Sequence, residues 1–82
     1  MYILVFHVPP EYLEAVKDAV FAAGAGEMDG YTRCSWEVLG HGQFFCGTET
    51  EPHIGERGAL SRVEEYRVEM VVDEMYLVSV VE

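Results

Sequence analysis

Basic residues are scarce: five Lys and Arg stand against fifteen Asp and Glu in 82 residues, a formal charge of −10. Binding to a phosphate backbone rests largely on Lys and Arg, so nucleic acid and anionic membrane are poor partners. Long apolar runs are lacking too. The run at the start, Ile3 to Phe6, extends through His7 to Val8 and Pro9 and falls well short of the ~20 residues a membrane helix needs. The N-terminus shows neither a basic segment nor a small-residue cleavage site, so the expected location is the cytoplasm. Two cysteines are too few for a disulfide framework, and 82 residues leave no room for a second core. What is present is a globular balance, 50% hydrophobic, 12% aromatic and 24% charged, enough to bury one small core.

The apolar period changes along the chain. Tyr2 to Val8 is apolar at nearly every position and rich in β-branched and aromatic residues, which predicts a central strand buried on both faces. Pro9 and Pro10 end it. From Glu11 a helical stripe follows, Leu13, Val16 and Val20, flanked by Tyr12, Ala15, Ala19 and Ala23, with Gly24 as its C-terminal cap. Tyr31 to Leu39 alternates, Thr32, Cys34, Trp36 and Val38 against Arg33, Ser35 and Glu37, and predicts a half-buried strand. Gly40-His41-Gly42 reads as a hairpin turn, with Gln43 to Cys46 returning from it. After a loop from Gly47 to Gly58, Tyr66, Val68, Met70 and Val72 alternate with Glu65, Arg67, Glu69 and Val71, a strand with one wet face. Val63 is out of phase, which suggests a bulge near Glu64-Glu65. Asp73 to Glu82 is balanced between strand, by its valines, and a helix capped by Asp73 with Met75, Val78 and Val81 at three-residue spacing.

Chemistry-bearing residues are few. His7, His41 and His53 show no close pair of the kind zinc sites use, and His7 reads as a satisfied, partly buried histidine. Cys34 and Cys46 are equidistant from Gly40, so a turn centred there would set them face to face. Two buried thiols and a redox pair are the readings this leaves, with cytoplasmic redox favouring the thiols. Glu49, Glu51, His53 and Glu56 crowd one loop. Such oxygen-rich loops bind divalent cations, yet the spacing matches no calcium-loop motif, and a solvated acidic loop is the blander reading. A divalent metal ion is the one cofactor class the residues suggest. The stretch Gly24 to Gly30 follows a helix and carries no lysine, which argues against phosphate binding. No nucleophile, base and acid fall into a catalytic pattern, so the expectation is a protein that is not an enzyme. Tyr31, Trp36, Phe44 and Phe45 offer more aromatic surface than a small sheet can hide, which makes them candidate interface residues.

The strand-to-helix start YILVFHVPPEYLEAVKDAVFAAGAGEMDGYTRCSW, then GHGQFF, PHIGERG and VEEYRVEMVV, together resemble the small domain of the YqfO family over essentially the whole chain. In that family the domain is often inserted into a larger protein described as a dinuclear-metal GTP cyclohydrolase type, and its fold is similar to CutA and the PII signalling proteins. The resemblance implies a single α+β domain over residues 1–82, ferredoxin-like in the order βαββα with the final strand missing, its helices on one face of an antiparallel sheet. It favours helix for residues 73–82 and implies that the family domain continues past Glu82. It also implies a homo-oligomer, with a trimer favoured, that binds an unidentified ligand between subunits. The divalent-metal reading of the acidic loop is its CutA-like alternative.

Overall fold

Pro10 fixes the turn that follows the first strand, since its ring sets φ for a helical start and it has no N–H to lose. In a computed structural model, which describes residues 1–47 and 58–81, β1 (Tyr2–Val8) leads through a 3₁₀ turn at Pro10–Tyr12 into α1 (Leu13–Ala22). Strands β2 (Trp36–Phe45) and β3 (Leu60–Val72) follow, then a 3₁₀ turn at Glu74–Tyr76 and α2 (Leu77–Val81). The result is a small α+β unit, a three-stranded antiparallel sheet in the order β1-β3-β2 with two helices.

The helical stripe packs as its spacing requires. Leu13 is buried, and Val16 and Val20 lie against the core of Val8, Ala25, Val68, Met70 and Val72. Helix α1 closes with Gly24 at φ +112°. The Gly24 N–H donates to the Phe21 carbonyl at 3.0 Å and the Ala25 N–H to the Val20 carbonyl at 3.1 Å, the paired bonds of a Schellman ending. Residues 73–81 are helical, and the Asp73 carboxylate accepts from the Met75 N–H at 3.2 Å. The face they turn inward is Tyr76, Leu77 and Val80. Val78 and Val81, the expected packing residues, are exposed, because the 3₁₀ turn before α2 rotates the stripe by about one residue.

Six further expectations are corrected. β1 is an edge strand with one open face, on which Ile3 and Val5 are exposed; the central strand is β3, paired on both sides. His7 lies on that open face and is exposed rather than partly buried. The second strand begins at Trp36, not Tyr31, because Asp29, Gly30 and Arg33 take positive φ and break the extended backbone. The hairpin does not exist: β2 runs straight through Gly40-His41-Gly42, which pair with Glu65, Glu64 and Val63. The same unbroken register removes the bulge at Glu64-Glu65. Cys34 and Cys46 therefore sit at opposite ends of a ten-residue strand, roughly 30 Å apart at the usual rise, and are not bonded to each other.

β1 pairs only with residues 66–72 of β3, whereas β2 pairs with residues 60–69. The far half of β2 and β3 therefore projects as a two-stranded arm. The extents of 49 × 23 × 19 Å and the radius of gyration of 15.7 Å record it, against roughly 12 Å for a compact chain of this length.

Candidate functional site

Both helices lie on the face that carries Val68, Met70 and Val72. The opposite face of the sheet has no covering element among the described residues. Strand alternation and register place Ile3 beside Val71, Glu69 between Val5 and Trp36, and Arg67 between His7 and Val38 on this face. Further along it, Gly40 pairs with Glu65 and Gly42 with Val63.

Two hollows indent this surface. The first, about 430 Å³, is mostly apolar and lies between Ile3, Met28, Cys34, Trp36 and Val71. The corner before β2 builds it. The Gly26 N–H donates to the Val71 carbonyl at 2.7 Å and the Cys34 N–H to the Gly26 carbonyl at 2.8 Å, which binds the corner to the end of β3. Gly26 has φ +82°, and a Cβ there would stand 2.8 Å from the Phe21 ring and 2.9 Å from the Cys34 carbonyl. Arg33 donates to Asp18 at 2.6 Å and lies 4.9 Å over the Phe21 ring, so the corner is also held to α1.

The second hollow, about 380 Å³, sits where β2 presents Gly40 and Gly42. Its rim is His7, Val38, His41, Glu65 and Arg67. Arg67 donates one N–H to Glu69 at 3.2 Å, and His41 stands 3.8 Å from Glu64. On the other side of the sheet, Lys17 donates to Glu37 at 2.7 Å and fixes β2 against α1. That hydrogen bond, with the nearby carboxylates and against partial burial, raises the Lys17 pKa above its usual value.

The four aromatic residues singled out in the sequence do not form one patch. Trp36 lies at the first hollow, exposed on the open face. Tyr31 is exposed in a turn bridged to Met28. Phe44 and Phe45 lie at the far end of β2 and point to opposite faces. Glu49, Glu51, His53 and Glu56 lie outside the described residues, and among the described residues no group of three or more His, Cys, Asp or Glu could hold a metal ion. No helix among the described residues is long and apolar enough to cross a membrane. The hollow over Gly40 and Gly42 is hidden in the sequence because Gly-x-Gly reads as a turn. The parity of Trp36, Val38, Gly40, Gly42 and Phe44 was the signal that could have found it.

No protein-family model matches the sequence. The chain is 51% identical over 67 residues to a Mycobacterium bovis protein named GTP cyclohydrolase 1 type 2 homolog, covering 82% of this chain and 18% of that relative. A protein of the same name from Halalkalibacterium halodurans is 39% identical over 74 residues, covering 90% of this chain and 20% of the relative. Among solved structures, a Bacillus cereus protein related to NIF3 superimposes with a TM-score of 0.76 at 32% identity, over 96% of this chain and 20% of that one. The chain is thus homologous to a partial region of these proteins, and spans about a fifth of the length of the curated relatives it matches.

Proposed function

We propose that this chain is a non-catalytic, homo-oligomeric binding or regulatory module of the YqfO small-domain type, active in the cytoplasm. The observation that carries the reading is the uncovered sheet face, where Ile3, Val5, Trp36 and Val38 are all exposed beside two hollows. Exposed apolar surface of this kind marks a place where something docks. The β1-β3-β2 order is also that of a ferredoxin-like sheet without its last strand, which supports a CutA-like or PII-like assembly through sheets, a trimer being favoured. The cyclohydrolase in the relatives' name refers to proteins about five times as long as the matched segment, and this module acts by binding beside whatever chemistry they perform. The CutA-like metal reading rests on Glu49, Glu51, His53 and Glu56, which lie outside the described residues.

Analytical ultracentrifugation over a range of concentrations tests the assembly. A species heavier than the 9.2 kDa chain that dissociates on dilution agrees with the reading; a strictly monomeric protein overturns it. Titration with copper, zinc and manganese decides the metal alternative separately, and absence of binding tighter than millimolar removes it.

A further inference from the structure

Glycine inside a strand costs roughly 0.5–1 kcal/mol relative to alanine, so an interior strand glycine calls for a reason. Gly24 and Gly26 have one, with positive φ and close neighbours. Gly40 and Gly42 are not among the positive-φ residues. A Cβ on Gly42 would stand 2.7 Å from the Glu65 Oε1, the movable end of a side chain, whereas one on Gly40 would meet nothing within 4 Å. Neither the backbone nor the surroundings require glycine at position 40. The space above it is left clear for something outside the described chain.

What could enter is set by the rim. Arg67, about half exposed, spends one N–H on Glu69, and a guanidinium has five to give. The Glu65 carboxylate has no hydrogen bond or ion pair among the described residues. The two residues are two apart on one face of β3, so their Cα atoms lie roughly 7 Å apart, with the glycine floor alongside, His7 across from Arg67 and Val38 as an apolar wall. A hollow of about 380 Å³ is at the small end of the range for compact ligands, roughly 300–1,000 Å³. A free polyanion is repelled by a chain of formal charge −10. A simple cation leaves the guanidinium facing it unmatched. A small zwitterion, with no net charge, satisfies both groups. We propose that the hollow over Gly40 and Gly42 binds a small zwitterion of the amino-acid class, its carboxylate on Arg67, its ammonium group on Glu65 and a short side chain along Val38. This deepens the binding-module reading and rests on it.

The test follows the backbone amide signals of Gly40 and Gly42 by NMR while the full chain is titrated with L-alanine, L-serine, propionate or ethylamine. The expected result is saturable shifts with the two amino acids and binding at least about tenfold weaker for propionate and ethylamine, each of which loses one charge-assisted contact. Gly40→Val should abolish the shift at Gly42, and Arg67→Gln and Glu65→Gln should each weaken binding by at least about tenfold. Amino acids that bind no better than propionate, or binding that survives Arg67→Gln unchanged, overturn the proposal whether or not Gly40→Val folds. ATP, succinate and zinc in the same titration separate the two levels of inference. Shifts at Gly40 and Gly42 with one of these alone overturn the zwitterion but keep the binding module, and no shift with any compound overturns the zwitterion while leaving the assembly to the ultracentrifuge.

Discussion

The two faces of β3 are made of alternate residues of one strand, yet they do different work. Val68, Met70 and Val72 face the helices and are essentially inaccessible, at 0%, 4% and 1% exposure. Glu65, Arg67, Glu69 and Val71 face outward, toward a surface where β2 contributes a tryptophan and two glycines. On the covered face Val68, Met70 and Val72 are explained by the helices packed against them, while on the open face Gly40 and the exposed Trp36 have no such neighbour among the described residues. Stability is concentrated on one side, and residues unexplained by folding are concentrated on the other.

The comparison is broken most directly by cutting equivalent atoms from each face. Met70→Ala should cost about 2–4 kcal/mol, the usual range for a buried methionine replaced by alanine, read as a fall in the urea midpoint at unchanged slope. Ile3→Ala, at a residue 64% exposed on the open face, should stay within about 0.5 kcal/mol. Equal losses at the two sites would mean that the open face is buried when the protein is folded in solution.

Glycine sharpens the same contrast. A Cβ at Gly24, where φ is +112°, would run into the Tyr76 ring that seats α2. Gly24→Ala should therefore cost about 2–4 kcal/mol, from an unfavourable backbone region together with overpacking. Thermal unfolding measures it, and a change within error would remove the close approach of α1 and α2 from the account.

How much of this was legible follows from what each residue type can signal. The α1 stripe, its Gly24 ending and the alternation of β3 were readable because period and cap chemistry are local. Gly40-His41-Gly42 was misread because a turn glycine and a floor glycine are the same letter, and only the backbone φ and the pairing with residues 63–65 separate them. The place of β1 at the edge was hidden for a different reason. Ile3 and Val5 look like core in sequence, and only the strand order shows that nothing in the described chain covers them. Trp36 was found as a surface candidate, but its grouping with Phe44 and Phe45 depended on the hairpin.

Trp36→Ala separates folding from assembly on the open face. At 57% exposure the ring contributes little to the single chain, so stability at high dilution should change by less than about 1 kcal/mol. The proposed assembly should weaken, seen as a lower average mass in ultracentrifugation at higher concentration. An unchanged mass would move the interface away from this end of the sheet.

The ion pair that fixes β2 to the covered side should have a smaller, pH-dependent effect. Lys17 has a raised pKa, chiefly from its hydrogen bond to Glu37, and the two side chains are 15% and 31% exposed. A lysine whose folded pKa exceeds its unfolded one stabilises fully below the unfolded value, 10.5, and loses that contribution as pH rises through the folded value. The pair should be worth about 0.5–1 kcal/mol after solvent screening. Wild type should lose that amount above pH 10.5, and Lys17→Met should lack the step. An identical alkaline profile in the two proteins would assign the loss to other groups.

Gly40→Val reverses the sign. The new Cβ meets nothing within 4 Å and a β-branched residue suits an extended strand, so the folded chain should gain about 0.5–1 kcal/mol from the lost flexibility of the unfolded state. The same substitution fills the hollow between Arg67 and Glu65. A variant that is more stable and no longer binds amino acids would show position 40 held as glycine at a cost to folding, which is the mark of a site rather than of a scaffold. If Gly40→Val is instead destabilising, and increasingly so as protein concentration rises, the clear space belongs to a second copy of the chain, and the open face is an interface along its whole length.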